Sequence, residues 1–201
     1  MKRKGQSHLF KDPIFKGAMS SLQPLSLPRS GNVYNELIKN IVYQQISYKA
    51  AENIFGRLCT LLGNNKYQPK DILAHDHDSL RSVGLSNQKA NYVKNIAHFF
   101  IEHKLYNHDW STLTDKEIID LLTQIKGVGT WTVNMILLFE LMRPDVFPHK
   151  DLAIQQSMNA LYKIDKEKKE LLKEMNNIAE QWRPHRSLAT LYLWSWKRAN
   201  S

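Results

Sequence analysis

The chain has 201 residues, with 28 lysines and arginines against 19 aspartates and glutamates, a formal net charge of +9 and 42% hydrophobic residues. That length supports one domain or two small ones with a true core, burying roughly 70% of the extended chain's surface. The single cysteine, Cys59, excludes an intramolecular disulfide and any zinc or iron–sulfur site built on several thiolates of one chain, and no stretch approaches the ~18 apolar residues of a membrane span.

The first ~30 residues show the least regular pattern and read as a partly ordered arm. Their start, Met1-Lys2-Arg3-Lys4, is basic with no apolar run behind it, which argues against secretion and for an intracellular location, while the single cysteine fits a reducing compartment. After the punctuation of Pro28-Arg29-Ser30-Gly31, apolar residues recur at helical spacing: Val33, Leu37 and Ile41, then Ile46, Ala50, Ile54, Leu58 and Leu61. A polar break at Gln44 to Ser47 makes these two helices. Cys59 lies in the apolar run and reads as a packing residue. Beyond Gly63-Asn64-Asn65, the stretch His75-Asp76-His77-Asp78 reads as a solvated loop before a helix rather than a metal site.

Ser86 is a good N-cap for a helix over 87–103, and Thr114-Asp115-Lys116-Glu117 is a capping box opening another. Further helices are predicted over 130–142, 152–162, 166–182 and 185–198. The charged stretch Lys166-Glu167-Lys168-Lys169-Glu170 reads as a solvated face. With no strand alternation, the fold class is all-α with about eight to ten short helices.

Two features carry chemistry. In Leu122-Thr123-Gln124-Ile125-Lys126-Gly127-Val128-Gly129-Thr130-Trp131-Thr132, one helix ends, two glycines straddle an apolar residue, and a second helix begins at once. The glycines permit a tight turn and close approach to the main chain, while Val128 tucks between the helices. The outward amides of the helix start, with its dipole, suit a phosphate, so the helix–hairpin–helix predicts sequence-independent DNA binding, consistent with the net positive charge. Next, Pro144 and Pro148 hold an extended segment that delivers Asp151 to the start of a helix. By position alone, Asp151 is a helix cap.

The hairpin, followed by Asp151 behind a proline-containing loop, resembles the helix–hairpin–helix–Gly/Pro–Asp superfamily of DNA glycosylases. Ile41-Val42-Tyr43-Gln44-Gln45-Ile46-Ser47, Gly84-Leu85-Ser86-Asn87-Gln88-Lys89-Ala90 and Trp182-Arg183-Pro184-His185-Arg186-Ser187-Leu188-Ala189 through Trp194 resemble its alkylpurine branch, the 3-methyladenine DNA glycosylase II group. The likeness covers roughly residues 33 to 198. It implies two helical subdomains flanking a cleft: residues 31–142, carrying the hairpin at about 122–136, and residues 1–30 with 143–201.

The resemblance makes Asp151 the catalytic carboxylate, and it lines a base pocket with Trp131 and Trp194, with Met135 in place of an aromatic found in some relatives. Trp131 stands where backbone-cleaving branches carry a Schiff-base lysine. A tryptophan cannot form an imine, so the implied enzyme is monofunctional. Gln45 takes the position that fills the gap left by a flipped base. DNA contacts are then expected from Lys126, Gly127, Val128, Gly129 and Thr130 of the hairpin and from Gln45 and Ser47. Lys150 either acts electrostatically on Asp151 or meets a phosphate.

No organic cofactor is expected; the resemblance implies at most a monovalent cation on the main-chain carbonyls of Thr123, Ile125 and Val128. The implied activity is hydrolytic excision of 3-methyladenine- or 7-methylguanine-type bases from double-stranded DNA by a monomer, with no membrane partner, in base excision repair at an intracellular location, with the DNA. The alternatives are a silent DNA-binding module and a glycosylase for deaminated or oxidised neutral bases.

Overall fold

The computed structural model describes residues 2–26, 29–63, 66–166 and 168–200. The breaks read at Pro28 and Asn64-Asn65, and Glu167 in the charged stretch, lie outside the described residues. Twelve α-helices are described in chain order: α1 (Lys2–Leu9), α2 (Pro13–Met19), α3 (Val33–Tyr43), α4 (Tyr48–Leu61), α5 (Pro69–Leu73), α6 (His77–Ser82), α7 (Asn87–Glu102), α8 (Asp115–Leu122), α9 (Thr130–Met135), α10 (Leu152–Tyr162), α11 (Lys168–Glu180) and α12 (Arg186–Ala199). A 3₁₀ turn at Trp110–Thr112 and a π-helical turn at Ile136–Glu140 complete the description, which contains no strand among the described residues. No helix of the described residues is long and apolar enough to cross a membrane.

The chain divides into two compact units, Arg29–Ile136 and Met1–Pro28 with Leu137–Ser201. The family likeness puts the second boundary after residue 142, and the helical spacing predicts one helix over 130–142. The α-helix instead stops at Met135 and passes into the π-helical turn where the units divide.

In the central unit, α7 packs against α3, α5 and α6, and α8 packs on α9. Its core holds Tyr34, Leu37, Ile38, Ile41, Tyr67, Ile72, Ile96 and Phe100, all buried. The predicted caps are present: Ser86 Oγ accepts the Lys89 amide, and Thr114 and Glu117 complete the capping box. Asp76 caps α6 by accepting the Ser79 amide at 2.8 Å. Among the described residues, no cluster of three or more His, Cys, Asp or Glu side chains is arranged to hold a metal ion. Cys59 is buried in α4, and burial pushes its thiol pKa up, as fits a packing residue.

In the other unit, α12 packs on α1, α2 and α10. The N-terminal arm expected from the sequence is instead two helices whose Leu9, Phe15 and Met19 are fully buried. Helices this short cannot display a periodic stripe. The local signal was Asp12-Pro13, an N-cap followed by proline at the first helical position. Asp12 Oδ1 accepts the amides of Ile14 and Phe15, while Oδ2 accepts Tyr162 Oη–H at 2.5 Å and the Gln181 and Trp182 side-chain N–H groups at 3.3 Å. This buried carboxylate ties α2 to α10 and the end of α11. Phe15 lies 5.2 Å from the fully buried Trp182, ring centre to ring centre. Phe15→Ala is therefore expected to cost about 3–5 kcal/mol of stability, measured by denaturant unfolding; a change near zero would mean that the arm does not contribute to this core.

Candidate active site

Asp151 is the N-cap of α10, with extended backbone angles and its Oδ1 accepting the Ile154 amide at 3.0 Å. The same oxygen accepts the Trp194 indole N–H at 3.1 Å. Two donors from different helices thus fix the carboxylate plane. Trp194 in turn stacks on Phe139, with ring centres 5.6 Å apart and planes 19° from parallel. Phe139 was not singled out in the sequence because it sits in the π-helical turn, where the expected α-helical spacing fails.

The approach to Asp151 is laced to the start of α12. Arg186 grips the Asp145 carboxylate with Nε and Nη2 at 2.8 and 3.0 Å, and Arg183 joins it. Ser187 Oγ–H donates to the Arg143 carbonyl at 2.6 Å, and Ser187 Oγ itself accepts the Val146 amide at 2.9 Å. Gln155 Nε2–H donates to the His149 carbonyl at 3.1 Å. Burial and the neighbouring Lys150 lower the His149 pKa, favouring the neutral ring, while Lys150 itself is exposed.

In the central unit the hairpin takes the form expected, with a difference between its glycines. Gly127 has φ +107°, which favours glycine, and a Cβ there would lie 2.3 Å from the Tyr92 ring. Gly129 has φ −98°, open to any residue, and a Cβ on it would meet nothing within 4 Å. Only Gly127 of the pair uses a backbone angle denied to other residues, and no side chain caps the first amides of α9 at Gly129. Val128 and Ile125 are buried, whereas Lys126, Gly129 and Thr130 are exposed.

Trp131 is 42% exposed on α9, while Met135, one turn on, is 6% exposed and belongs to the core. Gln45 is exposed in the turn between α3 and α4, with φ +56° in the left-handed region. Ser47 caps α4, its Oγ accepting the Ala50 amide at 3.3 Å. Lys89, part of the Gly84–Ala90 stretch but not assigned a role from sequence, donates to the Val42 and Gln44 carbonyls at 2.7 and 2.8 Å. Burial lowers its pKa, a cost offset by those two bonds.

Thr123 is the C-cap of α8, while Ile125 and Val128 lie in the turn before α9, where the Ile125 oxygen accepts the Val128 amide at 3.0 Å. Main-chain carbonyl oxygens are hard donors of the type a monovalent cation takes.

The chain is 36% identical over 165 residues to DNA-3-methyladenine glycosylase 1 of Schizosaccharomyces pombe, covering 80% of this chain and 71% of that protein. It is 32% identical to a putative DNA-3-methyladenine glycosylase of Bacillus subtilis, covering 85% of this chain but 60% of that longer protein. A solved structure of the Schizosaccharomyces pombe 3-methyladenine DNA glycosylase in complex with abasic DNA superposes with a TM-score of 0.80 at 31% identity, covering 95% of each chain. A family model described as HhH-GPD superfamily base excision DNA repair protein matches residues 38–184, hairpin and Asp151 included, and the chain belongs to that superfamily.

Proposed function

We propose that this protein is a monofunctional DNA glycosylase that flips alkylated purines out of duplex DNA and excises them by hydrolysis, leaving an abasic site. The observation that carries the reading is the Asp151 carboxylate, held by the Ile154 amide and the Trp194 indole in a chain of this family. The relatives named for 3-methyladenine supply the substrate class.

The chemistry follows from the substrate. A 3-methyladenine or 7-methylguanine base carries positive charge, so its glycosidic bond breaks with little need for a general acid. As the bond lengthens, charge develops on the sugar, and one fixed carboxylate stabilises it and orients the attacking water. The half-exposed Trp131 offers an electron-rich face to a cationic base, worth ~0.5–2 kcal/mol over a neutral one. The bare amides at the start of α9 suit a phosphate and grip the backbone without reading sequence, and a monovalent cation on the hairpin carbonyls would add positive charge there. We take the active species to be a monomer.

The direct test is incubation of the purified protein with methylated duplex DNA and chromatography of the released bases. Release of 3-methyladenine or 7-methylguanine is expected; binding without release would favour first a glycosylase for deaminated or oxidised neutral bases and second a silent DNA-binding module. Trp194→Phe, which keeps the ring against Phe139 but deletes the donor to Asp151, is expected to slow single-turnover release about 10- to 100-fold. Substrate affinity should change little, and an unchanged rate would mean that the indole does not position the carboxylate.

A further inference from the structure

The Lys89 ammonium, reaching from the first turn of α7, satisfies the carbonyls of Val42 and Gln44 at the end of α3. There the helix has no amides left to do so, and its dipole favours a cation. The next residue, Gln45, is held exposed in the left-handed conformation, which a residue other than glycine keeps only when its surroundings impose it. On the other side of the turn, Gln44 Nε2–H donates to Thr132 Oγ in α9 at 3.4 Å.

Further along α7, Asn95 Nδ2–H donates to the Lys126 carbonyl at 3.2 Å, and the Tyr92 ring lies where a Cβ on Gly127 would be. One helix therefore braces both the strained turn and the hairpin. We propose that Lys89 is a positioning residue for base flipping: it clamps the α3–α4 turn in the form that presents Gln45, at a spacing from the hairpin set by α7. The proposal rests on the reading of the chain as a base-flipping DNA glycosylase. It makes lysine the apt residue, since an ammonium donates several hydrogen bonds and accepts none; methionine fills the same space without a donor.

The probes are two duplexes carrying 2-aminopurine, one with it paired to thymine and one with it facing a nucleotide that lacks its base. Affinity is read by anisotropy and unstacking by the fluorescence gain at saturating protein. Wild type is expected to brighten both. Lys89→Met should bind within about threefold of wild type but lose at least about fivefold of the gain on the paired duplex, with little loss on the second, where no partner must be displaced.

Gln45→Ala should show the same pattern, and the double variant should be no worse than either single one. Lys89→Arg should retain the paired-duplex gain. A role confined to folding would reduce both gains alike with a lower melting temperature; that result, or a full gain in Lys89→Met, overturns the proposal. If Lys89→Met does not fold, Lys89→Leu, which also lacks a donor, decides by the same two-duplex comparison. A wild-type protein that brightens the duplexes yet releases no base from methylated DNA overturns the excision reading and leaves this test in force; one that brightens neither overturns the proposal.

Discussion

Replacing Asp151 with asparagine is expected to reduce base release from methylated duplex DNA by about 10²–10³-fold or more while leaving the fold intact. Asparagine caps helices as well as aspartate does, so the bond to the Ile154 amide and the acceptor for the Trp194 indole survive the change. What disappears is the negative charge needed beside the sugar as its positive charge grows. The measurement is single-turnover release of bases, run beside thermal unfolding and duplex binding. Wild-type activity in the variant would remove Asp151 from the mechanism. Lost activity with a matching loss of stability would reduce Asp151 to a helix cap.

Gly127→Ala should be the most damaging change in the hairpin, costing about 2–5 kcal/mol from the left-handed backbone and the clash with the Tyr92 ring together. Duplex affinity should fall with it, because the turn cannot keep its shape. Gly129→Ala is the contrasting case. Its backbone angle is ordinary and its surroundings open, so stability is expected to stay within about 0.5 kcal/mol of wild type. Affinity for duplex DNA should nonetheless drop about tenfold, since the added methyl stands where a phosphate must approach the amides. Urea unfolding and anisotropy titrations separate the two effects. Equal stability losses at the two glycines would contradict the roles assigned to them.

The order of the helices was legible in the sequence wherever the signal was local. Ser86, Thr114 and Asp151 announce helix starts through cap chemistry, and each does cap its helix. The Gly127-Val128-Gly129 turn and the break between α3 and α4 were legible for the same reason, as were the family likeness and Asp151, which rest on residues close together in the chain.

Sequence by itself thus determined the all-helical class, the hairpin and the family to which the chain belongs. Only the tertiary structure decided that the first residues form two helices folded into a core, since their Phe15 and Met19 acquire meaning only against Trp182 and α12. It alone placed Phe139 under Trp194, Trp194 on Asp151 and Lys89 on the end of α3. The physical reason is range: caps and turns are settled by neighbours within a few residues, whereas a carboxylate's orientation and a strained turn's persistence depend on donors that the chain brings from tens of residues away.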